Sequence, residues 1–408
     1  MLGGSPRGTP TLDDGHPEAL SRPPDDSPPG TATRGAGFDG PMRKRIVLGL
    51  AVAAVAAVCL TCSPGYVLRA GYEEAKLLSR RKPIAEAERD PAVSTDERRK
   101  LDLVVRARTY ASQALDLDVG DSYTTYAFVD SDTLLLVVSA AEKVRFRQHT
   151  WWFPIVGHVP YKGFFRFDDA FKEAARLEAE GLDTYVRPSA AFSTLGWFND
   201  PILSTVLRSP DVFLVGTVIH EITHNTLYLP SQAAFNESFA NFVGDVGAAE
   251  LLCGMEGDEG PRCRQARAVW ADNLLFGGFL TDLVAALEEV YARQDLDDAG
   301  KLAAREDVFE GARRSFEADI RPHLQALTYA GFLDSELNNA ALIGRRLYYD
   351  RLDLFADVHA ALGGDLATTI ARVVEAAEAF PDDPYGAVED LVRDSRPSPP
   401  RNRPPRDG

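Results

Sequence analysis

The stretch from Val218 to Phe242 constrains this chain more than any other. It reads Val-Ile-His-Glu-Ile-Thr-His-Asn-Thr-Leu-Tyr-Leu-Pro and then Ser-Gln-Ala-Ala-Phe-Asn-Glu-Ser-Phe-Ala-Asn-Phe. His220 and His224 stand one helical turn apart, and Glu221 follows the first of them. On a helix, positions i and i+4 share a face, so both imidazoles can bind one metal ion. A glutamate beside the first histidine can reach a water on that metal and take its proton. The flanks favour a helix. Val212 to Ile219 is apolar almost throughout, and Pro230 closes the element because proline cannot continue it. Ser231 is a suitable N-cap for a second helix. Phe235, Phe239, Phe242 and Val246 give that second helix an apolar face. Two helices joined by so short a link should pack antiparallel.

The hairpin supplies a third ligand. His224 lies five residues before Leu229, and Glu237 lies five residues after Gln232. At about 1.5 Å rise per residue, each is roughly 7–8 Å from the turn, so the two meet at the same depth. Ala240 and Gly244 are small and allow close helix approach. His220, His224 and Glu237 then form a His₂Glu set with a fourth position left for water, the pattern of catalytic zinc. One Zn²⁺ per chain is expected, with Glu221 as the general base. Asn241 and Asp245, further along the same face, are candidates to orient the ligand imidazoles.

Composition narrows the function classes. The chain has 408 residues, 45% hydrophobic and 26% charged, ordinary values for a globular protein. Its net charge of −17 is offset by no long basic run, which argues against nucleic acid and against electrostatic binding to an anionic membrane face. Cys253 and Cys263 bracket a polar loop, and in an oxidising compartment they can close it as a disulfide or remain two thiols.

Residues 1–41 are rich in Pro, Gly, Asp, Ser and Thr and cannot bury enough surface to fold. Met42-Arg43-Lys44-Arg45 precedes an apolar run from Ile46 to Leu60. That is a positive n-region and an h-region of signal-peptide length, too short for a comfortable transmembrane span. Translation is expected to start at Met42, and residues 42–62 form a signal or lipoprotein-type membrane segment. Cys62 stands where a bacterial lipoprotein carries its acylated cysteine, although Thr61 departs from the usual Gly or Ala before it. The reading is therefore a cell-envelope protein on the periplasmic side, held to the membrane by this segment or by a lipid on Cys62.

Residues 63–392 read as a single domain, and 393–408 as a disordered Pro/Arg-rich tail. Helices are predicted over 63–81, 96–117 and 168–181, the last capped by Gly181. Strands are predicted over 123–129, 133–139 and 184–186. The aromatic stretch Trp151 to Phe165 can line a cleft or fill a core corner, and His149 and His158 flank it. Beyond Cys263 helices are predicted over 266–294, 302–327, 338–349, 352–362 and 365–380. The sheet-containing part is about 121–200 and the helical part about 201–392. The fold class is α+β, mainly α, with a small mixed sheet.

Several segments together resemble a bacterial family of predicted aminopeptidases, zinc metallopeptidases with a lipoprotein-like N-terminus. They are Arg80-Arg81-Lys82-Pro83-Ile84, Val159-Pro160-Tyr161-Lys162-Gly163-Phe164-Phe165, Ser193 to Pro201, His220-Glu221-Ile222-Thr223-His224, Phe235-Asn236-Glu237-Ser238-Phe239-Ala240 and Leu337-Asn338-Asn339-Ala340. The paired H-E-x-x-H and N-E-x-x-A motifs are gluzincin-like. The resemblance implies a zincin-like fold in which the H-E-x-x-H helix packs against the helix carrying the third ligand. It implies a peptide substrate, and Tyr348 as the donor that stabilises the oxyanion. It also makes Ala191 to Pro201 the candidate edge strand that holds the substrate backbone. The alternative reading is an envelope binding or scaffold protein whose zinc is structural or whose site is inactive.

Overall fold

The computed structural model describes residues 71–72, 75–130, 133–153, 157–189 and 201–395. All belong to the compact unit Ala56–Gly408. The signal-like segment, Cys59, Cys62 and the 191–200 part of the candidate edge strand lie outside the described residues. Residues 71–72 and 75–79 are helical. Strand β1 (Lys82–Pro83) then leads into the single turn α1 (Ile84–Ala87) and the long helix α2 (Thr95–Gln113). A capping box starts α2: Ser94 Oγ accepts from the Glu97 N–H, and Glu97 Oε2 accepts from the Ser94 N–H.

The strands follow as β2 (Thr125–Ala127), β3 (Leu135–Ala141), β4 (Trp151–Phe153), β5 (Gly157–Val159) and β6 (Tyr161–Phe164). Helix α3 (Phe167–Ala179) separates them from β7 (Asp183–Ser189) and β8 (Ile202–Leu203). β1-β2-β8 is a mixed sheet, β6-β3-β7 is antiparallel, and β4-β5 is a hairpin. The predicted strand over 123–129 is shorter because Tyr123 turns the chain at φ +58°. The strand predicted over 184–186 runs the full length of β3.

β3 reads Leu-Leu-Val-Val-Ser-Ala-Ala and is buried at every position, because both faces of its sheet are covered. On one face Leu136, Val138, Ala140 and Phe164 pack against Ala170, Ala174 and Leu177 of α3. Side chains alternate along strands, so Ser139, Tyr161, Tyr185 and Arg187 share the other face.

The helical part comprises α4 (Ser204–Leu207), α5 (Asp211–Thr226), α6 (Ala233–Glu256), α7 (Pro261–Ala292), α8 (Asp298–Ser315), α9 (Ala330–Asp334), α10 (Asn339–Arg346), α11 (Leu352–Ala361), α12 (Leu366–Ala379) and α13 (Pro384–Ser395). The main core gathers α2, α5, α6, α11 and α12 around Phe235, Phe239, Phe242 and Phe355. A second core collects Phe276, Phe279, Phe316 and Phe332 from α7 to α9. Cys253 and Cys263 are joined as a disulfide across the loop between α6 and α7. The molecule is mainly helical with small sheets.

Two sequence expectations fail here for physical reasons. The helix predicted over 302–327 ends at Ser315, passes through a π-turn (Phe316–Ile320) and stops at Leu324. Pro322 cannot supply a helical N–H, and the buried Asp272 carboxylate captures the N–H groups of Gln325, Ala326 and Leu327 instead. Ser231 does not cap the second helix. It sits at φ +66° in the turn, Gln232 is the N-cap, and no side chain caps it. Asn236 closes the turn: its Oδ1 accepts from the Leu229 N–H at 3.0 Å and its Nδ2 donates to the Leu229 carbonyl at 2.8 Å.

α10 is pinned over the open face of the β6-β3-β7 sheet. Asn338 caps it and donates to the Thr184 carbonyl, while Asn339 donates to the carbonyls of Glu142 and Lys143. Asp183 accepts from the Asn339 N–H and from Arg305, whose guanidinium is 2.7 Å away and buried. Breaking such a pair leaves an uncompensated charge inside the protein. Arg305→Leu is therefore expected to lower the unfolding free energy by about 3–5 kcal/mol in denaturant titration. A loss below about 1 kcal/mol would mean that the pair is not what anchors α10.

Candidate metal centre

α5 runs through the core, with Val212, Leu214, Val215, Val218, Ile219 and Ile222 all buried. Its one polar seam carries His220 and His224, and it faces α6. The two helices touch at glycines. A Cβ added to Gly244 would lie 2.7 Å from the Gly216 carbonyl oxygen and 3.1 Å from His220 Cβ, closer than side chains are found. Only hydrogen at Gly244 lets the two backbones approach so closely, whereas a Cβ on Gly216 would keep ordinary contacts of 3.6 Å or more.

That approach brings three ligand atoms together. His220 Nε2 is 3.3 Å from His224 Nε2 and 3.4 Å from Glu237 Oε2, and His224 Nε2 is 3.9 Å from the same oxygen. Zinc bonds of about 2.0–2.1 Å at tetrahedral angles hold ligand atoms about 3.3–3.4 Å apart. The donor set and its spacing fit a metal ion, and this triad could hold one. Among the described residues the other such group is Cys253-Asp258-Cys263, whose cysteines are spent in the disulfide.

The triad is largely buried, and its charges are adjusted accordingly. Burial pulls both imidazoles towards the neutral form. It prevails for His224, whereas the Glu237 carboxylate hydrogen-bonded to His220 carries that residue above its ordinary value. Burial opposes ionisation of Glu237, but its bond to His220 and the nearby His224 hold it below the usual carboxylate range. Asp245 lies behind His220. Burial lifts its pKa to about 6, against the stabilising bond from Asn273 Nδ2 at 2.6 Å. Tyr329 in turn donates to Asn273 Oδ1. Asn241, expected to orient an imidazole, instead donates to the Tyr348 carbonyl at 3.0 Å and so fixes Tyr348 against α6.

Tyr348 follows α10, and its ring centre lies 6.2 Å from that of His220. The charge of Glu237, then burial, push its phenol up to about 12, so it keeps its proton. Glu221 lies one residue from His220 on α5, and its charge reaches His220, His224 and Tyr348. A cleft of about 460 Å³ reaches His224 between the 118–122 loop and Tyr228.

His149 and His158 are not at this site. His149 packs edge-on against Trp151, and His158 Nδ1 is 3.0 Å from Thr150 Oγ1. Two further residues are close to it, Tyr161 on β6, which belongs to the aromatic stretch read as a possible cleft lining, and Arg187 on β7, which sequence reasoning passed over. The charge of Glu237 acts on Tyr161, and that of Arg187 acts on Glu237. The signal for both was strand alternation, which puts them on the face opposite Leu136 and Val138.

The Gly216–Gly244 contact yields a direct test. Gly244→Val forces α5 and α6 apart and is expected to cost about 1–3 kcal/mol in denaturant unfolding. It should weaken metal binding further than Gly254→Val, whose Cβ has open space. Equal metal affinity in the two variants would detach the glycine contact from the site.

Among curated proteins and among solved structures, none matches this chain. A family model does match: the one described as Putative aminopeptidase, over residues 65–383. That span holds the triad, Glu221, Tyr348 and the sheet that faces them. The chain belongs to this aminopeptidase family.

Proposed function

We propose that this protein is a zinc-dependent peptidase of the bacterial cell envelope with a zincin-like active site, releasing N-terminal residues from peptides. The observation that carries this reading is the convergence of His220, His224 and Glu237 on one point between two helices. Two imidazoles and a carboxylate suit zinc, and catalytic zinc sites keep three protein ligands with a fourth position open. A structural zinc fills that position with protein, and among the described residues the group has three members. When bound, zinc acts as a Lewis acid that makes a water acidic near neutral pH and polarises a carbonyl.

The chain's own residues perform the remaining work. Glu221 takes a proton from the attacking water as its oxygen adds to the scissile carbonyl, and returns it to the leaving amine as the C–N bond breaks. Tyr348, protonated throughout, donates to the oxygen that becomes anionic. Asn241 holds Tyr348 at that depth by its carbonyl. Asp245, buried beside His220, offers its negative charge to that imidazole. The cleft that reaches His224 carries Asp118, Asp121 and Glu378, carboxylates of the kind a substrate's α-ammonium group needs.

Envelope placement rests on residues 42–62, with a lipid on Cys62 or the apolar segment itself as the anchor, and on the Cys253–Cys263 disulfide, a bond of oxidising compartments. No helix among the described residues is long and apolar enough to cross a membrane.

Screening against a peptide library tests the chemistry. Glu221→Gln should lower kcat by about 10²–10⁴-fold while leaving metal content and peptide affinity intact. Tyr348→Phe should lower kcat by about 10²–10³-fold with little change in KM. Turnover that survives Glu221→Gln undiminished would end the metallopeptidase reading.

A further inference from the structure

Arg187 stands beside the triad, where its charge acts on Glu237. It occupies the face of β7 that looks towards Tyr348, two positions beyond Tyr185, over which α10 lies. Its Nη2 donates to Tyr348 Oη at 3.3 Å, and its Cζ is 5.7 Å from the centre of that ring. Its Nε is buried without an acceptor. Among the described residues it forms no ion pair. Other little-exposed arginines reach a carboxylate or a backbone carbonyl, although Arg98, Arg345 and Arg346 each also keep one buried nitrogen without an acceptor. Arg305 holds Asp183 and Arg262 holds Asp211, while Arg313 and Arg345, which lack a carboxylate, donate to backbone carbonyls. Arg187 has a phenol.

A guanidinium withdrawn from water without a counter-charge keeps a standing attraction for an anion. Its planar fork matches a carboxylate, which can accept two parallel N–H bonds. Tyr348 stands between Arg187 and His220, so an anion on the guanidinium would lie next to the reacting bond.

We propose that Arg187 is the carboxylate receptor of this site, and that the substrates are short peptides bearing a carboxylate beside the scissile bond. This rests on the peptidase reading above. The carboxylate is either the C-terminus of a di- or tripeptide or an Asp or Glu side chain next to the bond cleaved.

The zinc-loaded full chain is assayed on Ala-Ala, Ala-Ala-amide and Ala-Glu-amide, all with free amino groups. A C-terminal receptor predicts that Ala-Ala exceeds its amide by about 10- to 100-fold in kcat/KM, the range of a charge-assisted bond. A side-chain receptor predicts the same margin for Ala-Glu-amide over Ala-Ala-amide. Arg187→Met should reduce whichever preference exists to within about threefold by slowing only the favoured substrate, and Arg187→Lys, which keeps charge without the fork, should restore part of it. Equal rates on all three substrates overturn the proposal without any variant. So does an Arg187→Met that slows acid and amide alike, the result expected of a residue that only steadies Tyr348. Calorimetric titration of Ala-Ala and its amide into Glu221→Gln separates the two levels of the argument. Preferential binding of the acid, with no turnover by wild type, would sink the peptidase reading and leave the receptor. Turnover with no preference in either assay sinks the receptor alone.

Discussion

The contact on which the rest depends is the one between Gly216 and Gly244. α5 and α6 lie so close there that a Cβ on Gly244 would collide with the Gly216 carbonyl. Helix packing at larger separations would leave Glu237 short of the two imidazoles. The surrounding architecture maintains that approach. Phe235, Phe239 and Phe242 turn the outer side of α6 into the main core, where Phe355 of α11 closes over all three. Asn236, next to Glu237, ties the turn to Leu229 by two hydrogen bonds. The apolar packing positions the polar seam.

The second wall of the site is the face of the β6-β3-β7 sheet opposite α3. Its other face is sealed by α3, so its strand alternation commits Tyr161, Tyr185 and Arg187 to the side where α10 and Tyr348 lie. The alignment is fixed at its far end by Asp183, Asn338, Asn339 and Arg305, a network with buried charges on both partners. Two parts of the compact unit thus meet at the triad. The helical hairpin contributes His220, His224, Glu237 and Glu221, and the sheet with α10 contributes Tyr348 and Arg187. In the proposed peptidase the first part carries the hydrolytic chemistry and the second determines which peptide is presented to it.

The hairpin was legible in the sequence because its signals are local and agree with one another. They are an i, i+4 histidine pair, a proline after the helix, a phenylalanine stripe at helical spacing, and glycine where the partners cross. The details that failed were decided by contacts outside the local pattern. Ser231 looked like a cap, but Asn236 and a left-handed turn closed the hairpin. The helix through 302–327 has helical periodicity, but Asp272, more than fifty residues earlier in the sequence, takes the backbone donors it would need. Arg187 carried only the alternation of its strand as a signal, and an arginine on a strand is ordinarily solvated. Its meaning comes from the register of β7 on β3 and from a helix that arrives some 160 residues later. The Leu337-Asn338-Asn339-Ala340 segment, noticed as part of a resemblance, has a structural role, as the clamp between α10 and the sheet.

The central claim is that His220, His224 and Glu237 hold one catalytic zinc ion. Elemental analysis of the purified chain, wild type beside His220→Ala and Glu237→Ala, tests it most directly. The account predicts about one zinc per wild-type chain, as three protein ligands and an open position require, and its loss from both variants. Full zinc retention in Glu237→Ala would contradict the third ligand, and no metal in the wild type even after reconstitution would contradict the claim as a whole.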